Sequence, residues 1–102
     1  MVKMKPERFG EFIRRLREES KLPLRKVAAK LDIDTSTLSK VERGERPIAK
    51  EYLKPLAEIL KKGLDEIQIR FIADTITNEF GQLEYITKGL KEAEKLIRQK
   101  RK

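Results

Sequence analysis

The chain has 102 residues, 38% hydrophobic and 41% charged, with four Phe, two Tyr and five Gly. That length supports one domain with a modest core plus a helical extension, and so few aromatics and glycines argue against a β-sandwich or barrel. The formal net charge is +8 and there is neither Cys nor His, which excludes disulfides, thiolate nucleophiles, imidazole bases and nearly all zinc chemistry.

Taken in order, the elements all read as helix. Pro6 suits a first helical turn, where its missing N–H is not needed. Phe9, Phe12, Ile13 and Leu16 follow at i, i+3, i+4 and i+7, one apolar stripe that predicts a helix over about 6–19. Pro23 signals a second start, and Leu24, Val27, Ala28 and Leu31 give a short helix after it. Asp32 tolerates a left-handed break, less cheaply than glycine. Asp34 is a good N-cap, with Thr35 as the alternative. A third helix then spans about 35–43, with Leu38 and Val41 facing inward and Gly44 ending it. Leu53, Leu56, Ile59 and Leu60 form a fourth stripe. Pro55 interrupts it, so that helix either starts late, near Glu51, or kinks.

Gly63 is the expected domain boundary. Beyond it Ile69, Ile72, Ile76 and Phe80 repeat every three or four residues up to Gly81. Leu83, Ile86, Leu90, Ala93 and Ile97 then repeat with 3-4-3-4 spacing over a helix at about 82–99, a two-heptad apolar seam. The two parts differ in charge. Residues 1–63 hold 17 Lys+Arg against 10 Asp+Glu, and residues 64–102 hold 8 against 7. The basic part suits a polyanion and the near-neutral part another task. No apolar run reaches the roughly 18 residues needed to span a bilayer, and "MVKMKPERFG" lacks the apolar centre of a signal peptide. The expectation is a soluble, cytoplasmic protein with no metal and no cofactor.

Two short helices joined by a tight turn make a helix-turn-helix. Its second helix docks by a few apolar residues and turns polar tips outward, toward base edges in a major groove. In "TSTLSKVER" Leu38 and Val41 fill the first role; Thr35, Ser36, Thr37, Ser39, Lys40 and Arg43 are the polar tips. The pattern "LRxxxKLPLRKVAAKLDIDTSTLSKVERGER" followed by "LxxLAEIL" resembles the lambda-repressor-like (phage Cro and repressor) helix-turn-helix family over residues 8–67. The matching positions are Val27, Ala28, Leu31, Leu38, Val41 and the "VERG" that closes the third helix. The resemblance implies an all-α, five-helix DNA-binding domain with a C-terminal helical extension.

Carried over by position, the resemblance makes Thr35, Ser36, Thr37 and Lys40 base-contacting, with Lys40 the candidate for guanine, whose O6 and N7 accept from lysine. Thr35 also reads as a cap alone, and Ser39 lies toward the flank. Arg25, Lys26, Arg43 and Arg46 become phosphate contacts, though each singly also reads as a solvated charge. Two positions depart from the family. Leu24 replaces the glutamine that grips a phosphate, and Asp32 replaces the glycine of the turn. Arg17 and Glu42 occupy positions that form a partly buried ion pair, setting the angle of the reading helix.

A single reader covers half a site, and most such readers pair across half-sites roughly 34 Å apart. The seam at Leu83, Ile86, Leu90 and Ile97 is the expected homodimer interface; the alternative folds it back on its own domain. "RQKRK" reads as a tail that adds phosphate affinity at most. The resulting expectation is a sequence-specific regulator of transcription on double-stranded, pseudo-palindromic DNA, dimeric and autoregulatory, similar to phage repressors or restriction-modification controllers. The competing reading is an antitoxin-type protein whose C-terminal helices bind another protein. An enzyme is not expected, because no carboxylate pair sits at an apparent cleft.

Overall fold

The computed structural model describes residues 7–101. Every regular element among them is helical: α1 (Phe9–Glu19), α2 (Leu24–Leu31), α3 (Thr35–Glu42), a single 3₁₀ turn (Lys50–Tyr52), α4 (Leu53–Leu60), α5 (Leu64–Phe80) and α6 (Ile86–Lys100). Pro6 lies outside the described residues, and α1 begins at Phe9. Its first turn is held by the Glu11 carboxylate, which accepts the Arg8 N–H at 2.9 Å.

The apolar stripes of α1 to α4 meet in one core. Ile13, Val27, Leu38 and Leu56 are fully buried there, and Phe12 is nearly so. At about 1.5–3 kcal/mol for each such side chain, this cluster dominates the stability of the fold. Three helix ends adopt a left-handed residue without glycine: Lys21, Asp32 and Lys61, at φ of 57°, 57° and 55°. Each is followed by a backbone bond back across the last turn: Leu22 N–H to Arg17 O, Ile33 N–H to Ala28 O and Lys62 N–H to Ala57 O, all at 3.0 Å. These bonds satisfy carbonyls that the helix leaves open. Arg43 closes α3 as its C-cap, and Gly44, at φ 76°, supplies the turn after it.

Pro55 causes no kink. The 3₁₀ turn precedes it and α4 starts at Leu53, so the proline falls in the first turn, where backbone N–H groups have no helical partner. Pro23 takes the N-cap of α2, one residue ahead of the first helical position. Asp34 takes the N-cap of α3, but its side chain makes no capping hydrogen bond.

Packing continues past Gly63. Ile67 of α5 is completely buried, and Phe71 meets Phe9 edge-on, ring centres 5.4 Å apart. Arg8 spans from the start of α1 to the middle of α5, with Nε 2.8 Å from Asp74 Oδ1 and Nη2 2.6 Å from Asn78 Oδ1. The Arg70 guanidinium lies 4.5 Å from the centre of the Phe12 ring. Residues 67, 71, 74 and 78 therefore form the face of α5 that holds the core. The stripe expected from the sequence, Ile69, Ile72, Ile76 and Phe80, lies mostly on other faces, and Ile69, Ile72 and Phe80 are about half exposed or more.

The last helix starts later than expected, at Ile86, which leaves Leu83 in the preceding turn. No residue of α6 is buried. The Cα radius of gyration is 15.4 Å, against about 13 Å for a compact domain of this size. No helix among the described residues is long and apolar enough to cross a membrane.

Candidate nucleic-acid interface

The candidate surface is built on α3, a helix of eight residues with three buried: Leu38, Val41 and Glu42. The first two are the apolar underside expected from the sequence. The third is a carboxylate with a 4% exposed side chain, and Arg17 from α1 meets it in a two-pronged contact. Arg17 Nε lies 2.7 Å from Glu42 Oε2 and Nη2 lies 3.0 Å from Oε1. The remaining prong, Nη1, donates to the Leu22 carbonyl at 2.9 Å. Hydrogen bonding to Glu42 holds the Arg17 pKa above its ordinary value. Among the described residues no buried side-chain nitrogen or oxygen lacks a partner, so the pair is fully satisfied, the condition under which a buried ion pair is tolerated. A planar guanidinium clamped between the end of α3 and the loop after α1 fixes the tilt of α3 against the core.

A second contact works to the same end. Gly10 of α1 lies against the last turn of α3, and a Cβ there would sit 2.7 Å from the Glu42 carbonyl oxygen and closer still to that of Val41. Only glycine lets the two backbones approach so closely.

Of the expected base-contacting residues, Thr35, Ser36 and Lys40 are exposed and Thr37 is half-buried. Thr37 shares a shallow dent with Ile33, Tyr52, Ile48 and Arg46, which brings Thr37 and Arg46 to one surface. Arg25, Lys26, Lys40 and Arg46 are exposed and form no ion pair among the described residues. Helix α2 carries no acidic residue in its first turn, so its N-terminal dipole is open to an anion, whereas α3 has the Asp34 carboxylate at its N-cap. Ser39 is half-buried and not free: its hydroxyl accepts from Arg43 Nη1 at 2.6 Å.

Arg43, expected as a phosphate contact, is not a free cation. It is held by Glu45, with Nε 2.7 Å from Oε2 and Nη2 3.3 Å from Oε1. The hydrogen bond from Arg43 lowers the Glu45 pKa, and the one to Glu45 raises that of Arg43. The spacing of two residues is not a helix pair. It is made possible by the left-handed turn at Gly44, so no regular pattern announces it.

A buried-underside helix with polar tips, pinned to α1 and preceded across a tight turn by α2, is the architecture of the helix-turn-helix proteins. The helix-turn-helix family profile matches residues 13–67, and the chain belongs to that family, as the resemblance to the Cro and repressor type implied. The HTH-type transcriptional repressor RghR of Bacillus subtilis (strain 168) is 41% identical over 56 residues, 54% of this chain and 42% of that protein. The chain thus aligns with under half of that relative's length. No solved structure gives a significant match.

Proposed function

We propose that the protein is a sequence-specific regulator of transcription that lays α3 in the major groove of double-stranded DNA. The observation that carries this reading is the division of α3: Leu38, Val41 and the clamped Glu42 beneath, exposed Thr35, Ser36 and Lys40 above. In the groove Lys40 would donate to guanine O6 and N7, while Thr35 and Ser36 offer hydroxyl or methyl contacts. Arg25, Lys26 and Arg46 would neutralise phosphates and fix the register without reading sequence. Arg43 would do so only by sharing its guanidinium with Glu45. Residues 1–63 read, and residues 64–102 hold two copies together so that two α3 helices meet successive turns of a pseudo-palindromic operator. Repression is supported by the name of the Bacillus subtilis relative, a transcriptional repressor, and its own gene supplies the operator to test first.

The test is a mobility-shift titration on the DNA upstream of its own gene, with scrambled competitor at physiological salt. The wild type is expected to give a shift that survives competitor. Lys40→Ala should lose about 10- to 100-fold in affinity, the equivalent of one good base contact. A shift equal for both proteins and abolished by competitor would mean that the charge binds phosphate alone.

A further inference from the structure

Arg43 does not reach out past the end of α3. Its Nη1 donates to the Ser39 hydroxyl at 2.6 Å. Ser39 stands one turn nearer the start of the helix, so the guanidinium is drawn back along α3, in the direction helical side chains lean. Nε and Nη2 donate to the two carboxylate oxygens of Glu45 at 2.7 and 3.3 Å. The backbone that carries Glu45 is itself fixed. Gly44 turns at φ 76°, its N–H donates to the Val41 carbonyl at 3.0 Å, and the Glu45 N–H donates to the Lys40 carbonyl at 2.9 Å. A long side chain that would otherwise sample many rotamers is thereby held from two sides, while it stays 48% exposed.

The donors left over define what the held group can still bind. One N–H on Nε, one on Nη1 and one on Nη2 are engaged, which leaves one on each Nη nitrogen. Two neighbouring donors suit an edge with two acceptors. Duplex DNA offers a pair of phosphate oxygens, or the O6 and N7 of guanine. The Glu45 carboxylate decides between them. It cancels the charge of Arg43 at hydrogen-bond distance and repels a phosphate brought to the same guanidinium, whereas a guanine edge carries no net charge and is not repelled. Position agrees: Ser36, Lys40 and Arg43 are all exposed, and their i, i+4, i+7 spacing sets them in one line down the outward face of α3. We infer that Arg43 reads a guanine in the major groove, and that Ser39 and Glu45 are the positioning residues that aim it. The inference rests on the groove-bound α3 proposed above and adds a base contact at the far end of that helix. Glu45 then weakens attraction to phosphate in general and leaves two aimed donors that guanine alone satisfies with both its major-groove acceptors.

The experiment is selection of binding sites from random-sequence duplex DNA at physiological salt, read by sequencing, for wild type, Arg43→Ala, Ser39→Ala, Glu45→Ala and Lys40→Ala. None of the four residues belongs to the buried core cluster, and thermal melting of each variant verifies the fold. The wild type is expected to enrich a motif in which one guanine preference of about 10-fold or more vanishes in Arg43→Ala while the rest of the motif persists. Lys40→Ala should flatten a different position. Ser39→Ala and Glu45→Ala should weaken the Arg43 position several-fold, and Glu45→Ala should also bind scrambled duplex more tightly. An Arg43→Ala motif identical to the wild type's, with affinity lowered evenly on every sequence and a shallower salt dependence, makes Arg43 a phosphate contact and overturns the inference. A preference lost in Arg43→Ala but intact in both Ser39→Ala and Glu45→Ala overturns the positioning role. A wild type that enriches no motif overturns the sequence-specific reading itself, a result distinct from the loss or persistence of one position within an intact motif.

Discussion

Removing the Glu42 carboxylate tests the link between α1 and the reading helix most directly. In Glu42→Ala, Arg17 keeps one partner, the Leu22 carbonyl 2.9 Å from Nη1, and loses both contacts that neutralise it. The Arg17 side chain is 11% exposed and that of Glu42 is 4%. Stranding one member of such a pair costs about 3–5 kcal/mol. Because Arg17 retains a route to solvent, the lower end of that range is expected. For a domain of this size about 3 kcal/mol lowers the melting temperature by roughly 12–24 °C. Thermal unfolding by circular dichroism measures this, and Glu42→Gln separates the charge from the shape: it keeps an acceptor for one prong and should fall between the two. Replacing both partners by apolar residues, Arg17→Met with Glu42→Leu, should recover most of the loss, since no charge is then left unpaired. The alkaline side offers no test. The Arg17 pKa is raised, so its contribution is complete below the unfolded value and disappears only as pH climbs through the folded one, beyond any pH the fold survives. A Glu42→Ala protein that melts within about 2 °C of wild type would refute the reasoning, because it would mean that α3 is held by Leu38 and Val41 alone.

Gly10→Ala adds a Cβ against the carbonyl oxygens of Val41 and Glu42. The gain of about 1 kcal/mol in helix propensity is outweighed by overpacking of 1–3 kcal/mol, so the variant should melt lower and bind DNA less tightly; a higher melting temperature would show that the two helices part without cost. Asp32→Gly relieves a left-handed residue at φ 57° and should raise the melting temperature by roughly 2–4 °C, from a net gain of about 0.5 kcal/mol. Glu45→Gln frees the Arg43 guanidinium and removes a negative charge beside it, so DNA affinity should rise about 2- to 5-fold with a steeper salt dependence, read in the same mobility-shift assay. The Glu45 pKa is lowered by its hydrogen bond from Arg43. Its clamp is therefore intact above the ordinary carboxylate pKa and lost only as pH falls through the lowered value, and the wild-type and Glu45→Gln difference should hold constant across the neutral range.

Helix existence was legible wherever a stripe met a core. The repeats at 9–16, 24–31 and 53–60 name their own buried faces, because in α1, α2 and α4 one apolar side has one covering partner. Helix α5 carries apolar residues on more than one side, and periodicity says that a face is greasy without saying what lies on it. The repeat 69–72–76–80 marks an apolar face, while Ile67 and Phe71, outside that repeat, do the packing. Helix ends at Lys21 and Lys61 left no mark because lysine has no preference for a left-handed backbone. The conformation is imposed by the bonds from Leu22 and Lys62 back across the turn and, at the first, by Leu22 packing on the core. Arg8 could not be found at all: its partners Asp74 and Asn78 stand 66 and 70 positions away.

The site divides along the same line. The exposed residues Thr35, Ser36 and Lys40 were legible because a short helix with only two apolar positions must present polar tips. What positions them was legible only in part. The Arg17–Glu42 pair came through resemblance and not through pattern, since no local rule couples positions 25 apart. Gly10 was silent, although it sets how closely α1 can approach the end of α3. These positioning contacts all converge on the last turn of α3, where Val41 and Glu42 supply the carbonyls against Gly10 and Glu42 the carboxylate for Arg17. Of the exposed tips, Thr35 and Ser36 occupy its first turn, while Lys40 lies in the last turn on the exposed side. The anchoring contacts and the exposed tips thus divide the helix by face, with Leu38, Val41 and Glu42 beneath and Thr35, Ser36 and Lys40 outward. Substitutions at 35, 36 and 40 should change which DNA is bound with little effect on stability, while substitutions at 10, 17 and 42 should change stability first and binding only through it. A set of melting temperatures and operator affinities for these six positions would separate into two groups if the division is real, and would scatter along one line if α3 simply unravels whenever it is touched.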